Sequence, residues 1–159
     1  MTEILKLLES DSRLTAVQIA GILGREEVDV AAAIAKFEAE RTIVKYSAVV
    51  DWDKAAPGRV TALIEVKISP QRGDGYERIA ERIFQYKEVD SLYLMSGAFD
   101  FAVLISAPTM RHVSEFVFAH LATIDGVTST ATHFIMKKYK EKGFIFEEQP
   151  EQEERRRFV

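Results

Sequence analysis

The sequence predicts an α+β fold, with three short helices and a hairpin followed by the split order βαββαβ. Two observations carry this reading. The first is a change of hydrophobic period. Up to Glu40 the apolar residues recur at helical spacing. From Arg59 onward Val60, Ala62, Ile64, Val66 and Ile68 alternate with Thr61, Leu63, Glu65 and Lys67, the period of a half-buried strand. The second is the stretch Leu92 to Ser106, where two apolar runs flank Ser96-Gly97-Ala98, as in a hairpin.

The elements follow in order. Ile4, Leu5, Leu7 and Leu8 make one short helix face, which Ser10-Asp11-Ser12 interrupts. Thr15 and Gln18 have the spacing of a capping box. The helix they open places Ile19, Ala20, Ile22 and Leu23 inside and ends at Gly24. A third helix over about 26–40 buries Val30, Ala33, Ile34 and Phe37 on one stripe. Ile43–Tyr46 and Ala48–Val50 then read as two short strands, which gives residues 1–51 the pattern of a winged helix-turn-helix. Residues 52–58, with Pro57-Gly58, read as a linker.

Residues 59–140 supply the second domain. Tyr76, Ile79, Ala80, Ile83 and Phe84 recur at i, i+3, i+4, i+7 and i+8, the signature of a helix. The hairpin over 89–106 follows. Val113, Phe116, Val117, His120, Leu121 and Ile124 mark another helix, stopped by Gly126, and Val127–Tyr139 is the last strand. That order is ferredoxin-like. Residues 141–159 form a charged tail; Gly143–Phe146 is suited to an edge strand, and Arg155-Arg156-Arg157 is read as solvated.

Composition narrows the function. There is no cysteine and the formal net charge is −4. A thiolate metal site is therefore excluded, and bulk positive charge cannot be the grip on nucleic acid. Glu3, Lys6 and Glu9 break any signal-peptide core, and no apolar run approaches the roughly 18 residues of a membrane span. A cytoplasmic protein with no membrane partner is expected. His112, His120 and His133 have no metal-ligand spacing with carboxylates. Neither a phosphate-cradling loop nor a nucleophile motif is present, so no catalytic residue, metal or cofactor is assigned.

Both faces of the strand Phe99–Ile105 are apolar, because Ala102 and Leu104 alternate with Phe101, Val103 and Ile105. Two helices cover one face of such a sheet, and an exposed apolar face marks an interface. A face-to-face homodimer is expected. Asp100 is the only charge in the hairpin stretch. It either caps its own turn or serves a ligand. In the second case the backbone N–H groups around Ser96, Gly97 and Ala98 hold a carboxylate, and Asp100 accepts from an ammonium group. Thr130 and Thr132 share one face of the last strand. That strand lies at the far sheet edge, so they would add hydroxyls from a neighbouring subunit.

Several local motifs stand in a fixed order: Asp11-Ser12-Arg13-Leu14-Thr15, Leu23-Gly24, Phe37-Glu38, Ile43-Val44-Lys45-Tyr46 and Ser96-Gly97-Ala98-Phe99-Asp100. With the element order, they resemble the Lrp/AsnC family of bacterial and archaeal regulators over residues 3–140. The resemblance implies binding to double-stranded DNA, a homodimer that assembles into octamers, and a small-molecule effector, commonly an amino acid, near the hairpin. The chain departs from the family pattern at two positions: Glu26 stands where a serine usually opens the recognition helix, and Ala33 where an arginine is usual. The acids of that helix's first turn, Glu26, Glu27 and Asp29, repel phosphates. Arg13, Arg25, Lys36, Arg41 and Lys45 remain as phosphate contacts, with Thr15 as a further DNA-binding position. The leading function is a DNA-binding regulator whose assembly is tuned by the effector. The alternative is a ligand-sensing or assembly protein with a weak or vestigial DNA-binding domain.

Overall fold

The computed structural model describes residues 2–69 and 75–146. The chain divides into two compact units, Met1–Val49 and Val50–Val159. The first packs α1 (Thr2–Ser10), α2 (Ala16–Leu23) and α3 (Glu27–Ala39) around Ile4, Leu8, Ile19, Ala20, Val30, Ala33 and Phe37. The capping box forms as its sequence requires: Gln18 N–H donates to Thr15 Oγ1 at 3.3 Å, and Thr15 N–H donates to Gln18 Oε1 at 2.9 Å. Gly24 closes α2 at φ 62°, a left-handed conformation that costs glycine nothing.

Two expectations for this unit are corrected. Ile22 points outward and is 58% exposed. The expected wing strands are absent, since residues 43–50 form no strand pairing. Val44, Tyr46 and Val50 on this segment are exposed. A lone two-stranded ribbon with no apolar surface beneath it is marginal. The segment is tied instead by Ile43 N–H to the Phe37 carbonyl at 3.0 Å and by the Tyr46 hydroxyl to Glu38 Oε1 at 2.8 Å. The stretch read as a linker contains a one-turn helix, α4 (Trp52–Ala55), whose first turn Asp51 caps. The Arg59 guanidinium stacks 4.6 Å from the Trp52 ring centroid, and the boundary between the units falls at Val49/Val50.

The second unit comprises β1 (Val60–Ile68), α5 (Gly75–Phe84), β2 (Val89–Leu94), β3 (Phe101–Ala107), α6 (Met110–Phe116) with a π-helical turn over Val117–Leu121, and β4 (Val127–Phe134). The sheet is antiparallel in the order β2-β3-β1-β4. Ala62, Ile64 and Val66 of β1 lie opposite Ile105, Val103 and Phe101 of β3. These residues pack with Ile79 and Ile83 of α5 and Val113 and Phe116 of α6 into one core. Gly126 takes φ 95°, which strains any other residue, and a Cβ there would crowd Ile79 Cδ1 at 3.1 Å.

Phe84, expected on the buried stripe of α5, is 56% exposed. The last strand stops at Phe134, short of Tyr139. Gly143–Phe146 adds no edge strand to the sheet: β5 (Lys140–Glu141) and β6 (Phe144–Ile145) pair with each other instead. The Arg155-Arg156-Arg157 run lies outside the described residues.

The second face of the sheet has a small apolar centre. Leu63 of β1 lies opposite Leu104 of β3, and Tyr93 of β2 opposite Ala102. Polar groups border this centre. Thr61 and Ser106 hydroxyls lie 3.4 Å apart, and His133 Nε2 lies 3.3 Å from Glu65 Oε1. An apolar centre with a polar rim is the anatomy of an interface.

Candidate functional site

The hairpin joining β2 to β3 turns at Gly97, whose φ of 136° favours glycine. Among the described residues, the N–H groups of Ser96, Gly97 and Ala98 donate to no protein acceptor, and all three residues are exposed. They are free to bind an external acceptor.

Asp100 is tied down on every side. Its N–H donates to the Val66 carbonyl at 3.0 Å, and its carbonyl accepts from Met95 N–H at 2.8 Å. The carboxylate does not cap its own turn. Its Oδ2 accepts from Ile68 N–H at 2.8 Å, and its Oδ1 accepts from the Tyr76 hydroxyl at 3.3 Å. It therefore joins the end of β1 to the first turn of α5. Each carboxylate oxygen retains capacity for a further donor. Tyr76 read in the sequence only as part of an apolar stripe; its hydroxyl partner 24 residues away leaves no local signal.

Burial, then the charge of Asp100 and the bond to it, raise the Tyr76 hydroxyl above its ordinary pKa. A raised folded-state pKa means that the folded chain holds its proton longer than the unfolded one. This contribution to stability is complete below the unfolded value of about 10 and is lost as pH rises through the folded value. Tyr76→Phe is expected to flatten the alkaline fall in stability above about pH 10. Urea melts at stepped pH, followed by the fluorescence of Trp52, the only tryptophan, measure this; an unchanged slope would refute it.

Thr130 and Thr132 lie opposite Val66 and Ile64, on the core side of the sheet. Phe101, Val66 and Thr130 stand in register across three strands, so two strand spacings, about 10 Å, separate β4 from β3. These threonines and the hairpin share one end of the sheet but do not meet within the chain.

The nucleic-acid candidates are on the first unit. Arg13 chelates Asp11, with its Nε and Nη2 each 3.0 Å from a carboxylate oxygen, and this holds the Asp11 carboxyl below its usual pKa. Arg25 Nη2 lies 2.7 Å from Glu3 Oε2, joining the α2–α3 turn to α1. Lys36 lies 3.8 Å from Glu40 on α3. Such exposed pairs contribute little stability, so a phosphate can displace the carboxylate. Arg41 and Lys45 are exposed, and Arg41 takes a left-handed φ of 55°. The Thr15 hydroxyl is occupied in the capping box. Residues 1–49 hold eight acidic side chains against six lysines and arginines, so there is no general basic surface.

The outer face of α3 is Val28, Ala31, Ala32, Ala35 and Lys36, all exposed. Ala33 is buried, which makes position 33 part of the helix packing rather than of the outer face. Glu26 occupies the N-cap without making a capping bond. The histidines are dispersed. His112 Nδ1 lies 2.8 Å from Thr109 Oγ1, His120 stacks on Tyr86, and His133 pairs with Glu65. Among the described residues no cluster could hold a metal ion, and no helix is long and apolar enough to cross a membrane.

Residues 61–144 match the model of the Lrp/AsnC ligand binding domain, more than half of the chain. The chain belongs to the Lrp/AsnC family. A helix-turn-helix transcriptional regulator of Bacillus subtilis, YugG, is 46% identical over 147 residues, 92% of this chain and 89% of that protein. A regulator of the same type from Pyrococcus furiosus is 30% identical over 89% of this chain and 92% of its own length. Among solved structures, a transcriptional regulator of Neisseria meningitidis in complex with L-Met superposes with a TM-score of 0.73 at 24% identity, covering 87% of this chain and 89% of that one. Escherichia coli AsnC superposes with a TM-score of 0.69 at 16% identity, covering 87% and 91%. At these identities the superpositions establish the shared fold. This Lrp/AsnC chain is a DNA-binding transcriptional regulator.

Proposed function

We propose that this regulator acts as a homodimer, formed through the open face of its sheet and assembling further into octamers, with an amino-acid effector at the hairpin. The observation that carries the effector site is the exposed Gly97 turn with free N–H groups beside the anchored Asp100 carboxylate. The N–H groups of Ser96, Gly97 and Ala98 would take the effector's carboxylate, and Asp100 its ammonium. Thr130 and Thr132 would come from a neighbouring subunit, so that ligand binding and assembly are coupled. The L-Met complex of the Neisseria regulator supports an amino acid as the class. The role requires no catalysis, metal or cofactor and places the protein in the cytoplasm.

A thermal-shift screen of the twenty amino acids tests this. A ligand present at a hundred times its Kd stabilises by about 2.7 kcal/mol, or about 5–10 °C here. Absence of any shift would contradict the effector class.

DNA contact is assigned to Arg13, Thr15, Arg25, Lys36, Arg41 and Lys45. Arg25→Ala and Lys36→Ala are each expected to weaken binding to all duplexes and to reduce the salt slope by about one unit. Glu26→Ser is expected to tighten binding by removing a repulsive charge, and to supply the missing N-cap. Anisotropy titrations at stepped salt measure all three, and unchanged affinity throughout would show that α3 does not face the duplex. The acidic first turn and alanine-rich outer face of α3 favour a second reading, an assembly protein with weak DNA binding. The same titrations separate the two.

A further inference from the structure

The helix layer over the sheet carries a cleft of about 380 Å³ between the end of α5 and the π-helical turn after α6. Arg82, Gln85, Tyr86, His120, Thr123 and Ile124 line it. None of these is acidic. Arg82, Gln85, Tyr86 and His120 end in a guanidinium, an amide, a phenol and an imidazole, all capable of donating hydrogen bonds. Among the described residues the Arg82 guanidinium has no ion-pair partner.

The backbone is shaped around this cleft. Over Val117–Leu121 the helical hydrogen bond spans five residues instead of four: Ala122 N–H donates to the Val117 carbonyl at 2.9 Å. His120, in this turn, lies against Tyr86, with ring centroids 4.6 Å apart. Tyr86 is fixed from below, edge-on to the buried Phe116 at 5.4 Å. Single π-helical turns of this kind are rare and recur at functional sites. The cleft is separate from the hairpin: Arg82 is six residues, about 9 Å of helix, from Tyr76, the partner of Asp100.

We propose that this cleft binds the oxyanion of a small metabolite, with Arg82 as the charged donor and Gln85, Tyr86 and His120 as neutral or ring donors around it. The shared chemistry is a compact anion with several acceptor oxygens, a phosphate or a carboxylate.

Titration of the full chain with inorganic phosphate at constant pH and ionic strength, followed by the histidine ring signals in NMR, tests the proposal. The His120 signals are expected to shift and saturate, while His112 and His133, which lie outside the cleft, serve as internal controls and do not. Arg82→Gln, at an exposed position, is expected to keep the melting temperature and weaken phosphate binding about tenfold. The same titration with acetate identifies the source. Saturation by phosphate alone assigns a phosphate ester, and saturation by acetate assigns a carboxylate. An unsaturable drift of His120, equal movement of all three histidines, or an unchanged curve for folded Arg82→Gln would overturn the proposal.

Discussion

Asp100→Ala is expected to cost the second unit about 2–4 kcal/mol and to remove the response to an amino-acid effector. The stability loss follows from the hydrogen bonds. Ile68 N–H, at a buried residue, loses a charged acceptor 2.8 Å away, and the Tyr76 hydroxyl loses its partner. An unpaired donor near the core is costly. Asp100→Asn separates stability from binding. Its side-chain oxygen still accepts from Ile68 N–H, so the fold is expected to hold, but the charge facing the proposed ammonium is gone. Calorimetric titration should show effector affinity lower by about 10- to 100-fold in the asparagine variant, the size of a charge-assisted contact. Near-normal affinity would leave Asp100 as a purely structural tie between β1 and α5.

Leu104→Asp is expected to convert the proposed dimer to a folded monomer. Leu104 lies on the open sheet face opposite Leu63, away from the core that holds the unit together. A two-fold interface meets each substitution twice. Burying a leucine contributes about 1.5–3 kcal/mol, so the pair of lost leucines alone weakens association by about 3–6 kcal/mol, and the buried carboxylates add to it. Light scattering at micromolar concentration should report the mass of a monomer, with an unchanged circular dichroism spectrum. A dimer that persists in Leu104→Asp would move the interface elsewhere.

The fold was legible wherever local chemistry determines structure. The Thr15–Gln18 box, the Gly24 stop and the period-two run of β1 each depend on residues a few positions apart, and each forms. The failures have physical causes as well. Residues 43–50 have strand composition, but two short strands alone make a marginal ribbon, and no pairing forms. His120 read as one more residue on an apolar face, because its ring partner Tyr86 lies on the segment after α5 and leaves no local signal. The hairpin was visible through Gly97 and the isolated Asp100. The partners of Asp100 were not, because Ile68 and Tyr76 reach it through the register of β1 with β3 and the placement of α5. The spread of the DNA candidates follows the same rule. Arg13 and Lys36 have partners two and four residues away, Asp11 and Glu40, while Glu3, the partner of Arg25 at 22 residues, emerges only from packing.

Effector-tuned DNA binding is tested by selecting duplexes from a random pool with the full chain at low salt. The selection is run with and without the amino acid that raises the melting temperature. Recovered duplexes are expected to share an inverted repeat, with half-site centres about 10 base pairs or a multiple apart. Their affinity should fall steeply as salt rises, and the amino acid should change the amount bound. Recovery of unrelated sequences that bind no better than random duplex, with or without the amino acid, would contradict it.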